Sequence, residues 1–150
     1  MIRKKIHSLL LLVCTLVAGA CDDDDKKPDA PSSTIVKLTA TMDGAQQVPA
    51  VQTTASGEFR GTYNKETREL VYRLDYRGMT PTAGHFHYGA PGTTGSVAVA
   101  FPQYATSPIE DRISLSPGDG QKLISGEMYV NLHSATHRPG ELRGNIKVVP

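Results

Sequence analysis

Leu70-Val71-Tyr72-Arg73-Leu74-Asp75-Tyr76-Arg77 alternates strictly between apolar and mostly charged side chains. Successive side chains of an extended strand point to opposite faces, so a period of two marks a strand with one face buried and one in water. The helical period of 3.6 would scatter these residues around the axis. The same alternation precedes it: Gly57, Phe59, Gly61 and Tyr63 are interleaved with Glu58, Arg60 and Thr62. Asn64-Lys65-Glu66-Thr67 lies between the two runs as turn chemistry, and together they predict an antiparallel hairpin.

Working outward, Val36, Leu38, Ala40 and Met42 alternate with Lys37, Thr39 and Thr41, and Asp43-Gly44 ends that strand. Gln46 to Val51 is an extended loop, because Pro49 lacks a donor for a central ladder. After the break at Gly78–Thr82 come a strand carrying His85, a glycine-rich loop, and then Val97, Val99 and Phe101. Pro102–Gly120 reads as loop with a weak strand at Arg112–Leu115 and a strong turn at Pro117-Gly118-Asp119-Gly120. Leu123 and Ile124 precede a strand over Glu127–His133, with Met128, Val130 and Leu132 on one face and Tyr129, Asn131 and His133 on the other. A last strand spans Glu141–Val148, with Leu142, Ile146 and Val148 inward. No segment carries a convincing helical period. The expected fold is all-β, an antiparallel Greek-key β-sandwich of seven or eight strands, immunoglobulin-like.

The first 33 residues differ from the rest. Arg3, Lys4 and Lys5 precede the apolar run Leu9–Val17, and Ala18-Gly19-Ala20 leads directly to Cys21. Nine apolar residues are too few to span a bilayer, so residues 1–20 read as a signal peptide. Small residues ending at a cysteine resemble a bacterial lipobox. That resemblance implies cleavage before Cys21, lipid on its thiol, and a protein exported and anchored in the bacterial cell envelope, on the periplasmic face or the outer surface. Residues 21–33, with Asp22–Asp25 and a Pro/Ser-rich run, form a charged tether, leaving 34–150 as the domain. With Cys14 removed and Cys21 acylated, the domain has no thiol for a disulfide or a metal. The net charge of +1 and the lack of a basic stripe with interleaved aromatics exclude nucleic acid as a partner.

The chemistry concentrates at Gly84-His85-Phe86-His87-Tyr88-Gly89. On a strand His85 and His87 stand on one face about 6–7 Å apart, with Phe86 opposite. Two such imidazoles can close on one transition metal, copper or zinc rather than calcium or magnesium, with His133 as a third ligand and His137 as an extra one. The alternative is that the histidines bond Asn131, Glu141 or backbone carbonyls and tie the sheet together. Glu141 and Arg143 share a strand face, where they either pair with each other or Glu141 orients His133 as an acceptor behind the metal. Tyr129 either stacks on the site or packs. Ser134 directly follows His133, so the two face opposite ways, and no nucleophile elbow is present; no catalytic residue is assigned.

Three separated blocks carry a family resemblance. They are Gly44-Ala45-Gln46-Gln47-Val48-Pro49, Thr82-Ala83-Gly84-His85-Phe86-His87-Tyr88-Gly89, and Tyr129-Val130-Asn131-Leu132-His133-Ser134 with Pro139-Gly140-Glu141-Leu142-Arg143-Gly144. Together they resemble the CHRD domain, the module named after chordin and frequent in bacterial secreted proteins. The resemblance implies an extracellular module associated with growth-factor binding; taken with the histidines, it leaves either a binding module that holds a metal or one that meets an envelope protein or matrix partner through a surface whose histidines are structural. A second similarity is to copper-zinc superoxide dismutases, whose paired and late histidines bind copper. Carried over by position, it makes His85, His87 and His133 copper-type ligands and implies a superoxide dismutase-like copper enzyme as a third reading, although the bridging histidine, the zinc-site residues and the disulfide have no counterpart.

Overall fold

The computed structural model describes residues 34–150; the signal peptide, Cys21 and the tether expected over residues 1–33 lie outside them. Two antiparallel sheets face each other. The first contains β1 (Ile35–Met42), β2 (Ser56–Asn64), β3 (Glu69–Arg77), β6 (Ile109–Ser114) and β9 (Lys147–Val148), in the order β6-β3-β2-β1-β9. The second contains β4 (Pro81–Tyr88), β5 (Val97–Ala100), β7 (Met128–Ser134) and β8 (Leu142–Asn145), in the order β5-β4-β7-β8. After β3 the chain crosses to the second sheet for β4 and β5, then returns so that β6 lies beside β3. This is a Greek-key path, and the fold is the expected β-sandwich.

The alternation that predicted the hairpin is the alternation that fills the core. β2 and β3 pair from Ser56↔Arg77 to Asn64↔Glu69, which turns Phe59, Tyr63, Leu70, Tyr72 and Leu74 inward. From the facing sheet Phe86 enters between them, its ring edge-on to Phe59 at 5.7 Å and to Tyr72 at 5.1 Å between centroids. Phe101 completes the cluster at 4.9 Å from Phe86. Such edge-to-face contacts suit the aromatic quadrupole and add to the burial of apolar area. Phe101 fits because residue 84 is glycine: a Cβ there would lie 2.5 Å from the Phe101 ring and 2.9 Å from Leu132. Phe86 is wholly buried, and this fixes the strand's orientation: His85 and His87 must face away from the core.

Three expectations are corrected. Pro117–Gly120 is not a turn in a loop but the first half of a helix, α1 (Pro117–Ile124). Ser116 caps it, its hydroxyl accepting from the Asp119 amide at 3.1 Å, and Pro117 starts it with a preset φ. Eight residues are too few to print a helical period, and Gly120 is there for room, since a Cβ would lie 1.9 Å from the Tyr63 hydroxyl oxygen. Second, Glu141–Val148 is two strands, not one. β8 pairs with β7 and β9 pairs with β1 in the other sheet, with Ile146 buried at the crossover. The switch turns Val148 outward, 43% exposed. Third, the weak strand at Arg112–Leu115 is the end of a longer one, β6, which runs along β3 from Leu74↔Ile109 to Glu69↔Ser114. These changes bring the count among the described residues to nine strands.

Candidate metal centre

β7 is the strand that departs most from a half-buried pattern. Met128, Val130 and Leu132 face the core, yet Tyr129 and Asn131 on the opposite face are also buried. The reason is a roof of loops over the outer face of the second sheet. The Gln46 side-chain carbonyl accepts from the Asn145 amide nitrogen and side chain at 3.1 and 2.9 Å. Gln47 donates to Asn131 Oδ1 at 2.6 Å, and the Thr53 hydroxyl donates to Glu141 at 2.7 Å. Gly140, at φ +141°, brings its backbone against Gln47 and Asn131, where a Cβ would lie 2.6 Å from each side chain. The three separated sequence blocks therefore meet on one face of one sheet.

Under this roof stand three imidazoles. In the β4–β7 ladder His85 lies opposite Asn131, His87 opposite Tyr129, and His133 opposite Ala83, diagonal to His85. A register shift in the β4–β5 pairing falls at Phe86/His87, beside the site. Ring centroids are 5.4 Å apart for His85–His87, 4.9 Å for His85–His133 and 5.9 Å for His87–His133. One nitrogen from each ring lies within 4.8 Å of the other two. Donors at about 2.1 Å from one tetrahedral ion lie about 3.4 Å apart, so a metal would draw these nitrogens together by up to about 1.4 Å.

The protonation pattern fits a metal. His87 Nδ1 is 3.1 Å from the Gly95 carbonyl and His133 Nδ1 is 2.8 Å from the Arg138 carbonyl. A carbonyl only accepts, so both Nδ1 atoms carry a proton; the His133 Nε2 lone pair then accepts from His85 Nδ1, and that of His87 Nε2 is left free. A backbone carbonyl behind the ring is the usual way a metal-binding histidine is oriented. His133 Nε2 faces His85 Nδ1 at 3.0 Å. His87 Nε2 is buried and has no hydrogen-bond partner. Among the described residues only the Tyr72 hydroxyl, in the aromatic core, shares that state. Burial, and then the repulsion of His133 and His87, lowers the His85 pKa below its ordinary 6.5. Burial lowers that of His87 as well, against the Gly95 carbonyl and with smaller contributions from His133 and Arg143. Neutral imidazoles are the form that binds metal.

Around the triad the expectations divide. Tyr129 stacks on the site, its ring 5.0 Å from that of His87 at an interplanar angle of 10°. Asn131 flanks it, with its amide engaged by Gln47 and the Pro139 carbonyl rather than by an imidazole. Glu141 neither pairs with Arg143 nor orients His133: it accepts from Thr53 and lies 3.6 Å from His137 Nδ1. His137 is accordingly apart from the three-histidine group. Arg143 is 1% exposed, lies 3.7 Å over the Tyr129 ring, and donates to the Thr93 and Ala90 carbonyls and to Asn145 Oδ1. It thus ties down the loop whose Gly95 carbonyl orients His87. Alternation alone did not separate Arg143 from a surface charge; the only signal was its place in the last block.

The CHRD domain profile matches residues 38–146, from β1 through the crossover after β8. The chain belongs to the CHRD domain family. No curated protein and no solved structure matches it. The histidine triad, Tyr129, Arg143 and the Gln46–Gln47 roof all lie inside the matched CHRD span.

Proposed function

We propose that this CHRD domain is a binding module that holds one copper or zinc ion on His85, His87 and His133, displayed in the bacterial cell envelope by lipid on Cys21. The observation that carries the metal reading is the buried, unpartnered Nε2 of His87 within reach of two other imidazole nitrogens. A buried polar atom without a partner costs about 1–3 kcal/mol, and a bound ion removes that cost. Three imidazoles suit copper and zinc, whereas calcium and magnesium take oxygen ligands. When bound, the ion would supply a Lewis-acidic centre. The chain's own part is to hold three lone pairs in place with two backbone carbonyls and the Tyr129 ring. The lipid anchor rests on the basic start, the apolar run and Ala18-Gly19-Ala20-Cys21.

The test is metal content. Tag-free protein is loaded separately with Cu(II) and Zn(II), dialysed, and analysed beside a His85→Ala/His87→Ala variant. About one ion per wild-type chain and none in the variant is the expected result. Equal, negligible metal in both would sink the proposal.

A further inference from the structure

The candidate ligands carry no charge. The group that can hold a metal is His85, His87 and His133, with neither a carboxylate nor a thiolate in it. Whatever charge the ion brings stays uncompensated by its first ligands. A buried cation beside the site makes this worse. Arg143 is 1% exposed, and its described partners are all neutral: the carbonyls of Thr93 and Ala90 and the side-chain oxygen of Asn145. Glu141, two residues earlier, is turned to Thr53 and His137 instead.

The guanidinium is also placed to be felt. It lies 3.7 Å from the centre of the Tyr129 ring, which stacks at 5.0 Å on His87. The guanidinium carbon is therefore no more than about 9 Å from the His87 ring centre, with an aromatic ring rather than water along the stack. A unit charge no more than about 12 Å from the ion, at an effective dielectric constant of about 20, disfavours each added positive charge by roughly tenfold in affinity even at that distance.

We infer that Arg143 biases the centre toward Cu(I) over Cu(II), so that the ion matched to this site is the singly charged one. The inference rests on the three-histidine reading above and adds to it the oxidation state and the residue that sets it. It concerns two equilibria and needs no electron transfer in the protein.

The test measures Cu(I) and Cu(II) affinities separately on the full tag-free protein. Cu(I) is titrated without oxygen against a chromogenic Cu(I) chelator in the presence of ascorbate, and Cu(II) against a fluorescent Cu(II) chelator. In Arg143→Met, Cu(II) should gain on Cu(I) by about tenfold, equivalent to a reduction potential lower by about 59 mV. Arg143→Lys, which keeps the charge but not the fork, should hold the wild-type ratio within about threefold. Asn145→Asp leaves Arg143 in place and gives its Nε a carboxylate to meet, so it should move the ratio in the direction of Arg143→Met. This third variant keeps the question answerable if Arg143→Met does not fold. A ratio that ignores Asn145→Asp, or that moves alike in Arg143→Lys and Arg143→Met, would overturn the inference while leaving the metal site standing. Failure to bind copper in either state would overturn the metal reading, and this inference with it.

Discussion

Replacing His87 by phenylalanine should separate a metal ligand from a structural histidine by the sign of its effect on stability. In the metal-free protein His87 contributes one hydrogen bond, Nδ1 to the Gly95 carbonyl, and leaves Nε2 buried without a partner. Losing a hydrogen bond of this kind costs about 0.5–1.5 kcal/mol, and Gly95 is exposed, so water can satisfy its carbonyl afterwards. Removing the unsatisfied nitrogen returns about 1–3 kcal/mol. Phenylalanine also keeps a flat ring on Tyr129, where the imidazole now stacks at 5.0 Å. The balance is a metal-free variant about 1 kcal/mol more stable than wild type. With metal at a hundred times its dissociation constant, wild type should gain about 2.7 kcal/mol and the variant nothing, which reverses the order. Urea unfolding with a chelator and with added Cu(II) or Zn(II) reads both halves, and the slopes should agree so that midpoints can be compared. A variant that loses more than about 1 kcal/mol without metal, and a wild type that does not respond to metal, would refute the reasoning. That pair of results is what a histidine kept for the sheet would give.

Gly84→Ala should destabilise the domain by about 1–3 kcal/mol, because the new methyl meets the buried Phe101 ring at 2.5 Å and Leu132 at 2.9 Å on the strand that carries His85 and His87. The same unfolding curves show it, and an unchanged midpoint would contradict the packing described. The Asp119 carboxyl is held below its ordinary 3.8, first by the Tyr88 hydroxyl at 2.6 Å and then by Ser116. A carboxylate with a lowered native pKa lends stability that is present above 3.8 and lost as the pH falls through the native value. Asp119→Asn should therefore flatten the fall of the urea midpoint below about pH 4, and an equally steep fall in the variant would count against the contact. Cys21→Ser should move the protein from the membrane fraction to the soluble fraction after cell lysis and detergent phase separation; unchanged partitioning would remove the lipid anchor from the account.

Much of the architecture was legible because burial on one face writes itself into a strand with period two. Leu70 to Arg77 shows this most plainly: Leu70, Tyr72 and Leu74 are in the core and Tyr76 packs partly buried against it. What alternation did not encode was change along a segment. Ile146 lets one apolar run serve two sheets, so the run looks like a single strand until its partners are known. α1 was hidden because Pro and Gly are also turn residues; the helix declares itself only through Ser116, Pro117 and Asp119 taken together. At the site, the two histidines one residue apart fixed their common face, and Phe86 fixed which face that was. Bringing His133 beside them required the β4–β7 register, a non-local fact. Glu141 and Arg143 look like an ion pair on a strand, but loops lie over that face and offer each a different partner: Thr53 for one, the Ala90 and Thr93 carbonyls for the other.

The central claim is that one ion sits among His85, His87 and His133. Crystals of the copper- or zinc-loaded protein, with anomalous diffraction recorded on either side of the metal's absorption edge, test it most directly. The account predicts a single strong peak about 2.0–2.1 Å from one nitrogen of each ring, with His87 bound through Nε2 and its Nδ1 still on the Gly95 carbonyl. A peak elsewhere on the chain, or no peak with the three rings packed as in the metal-free protein, would contradict it.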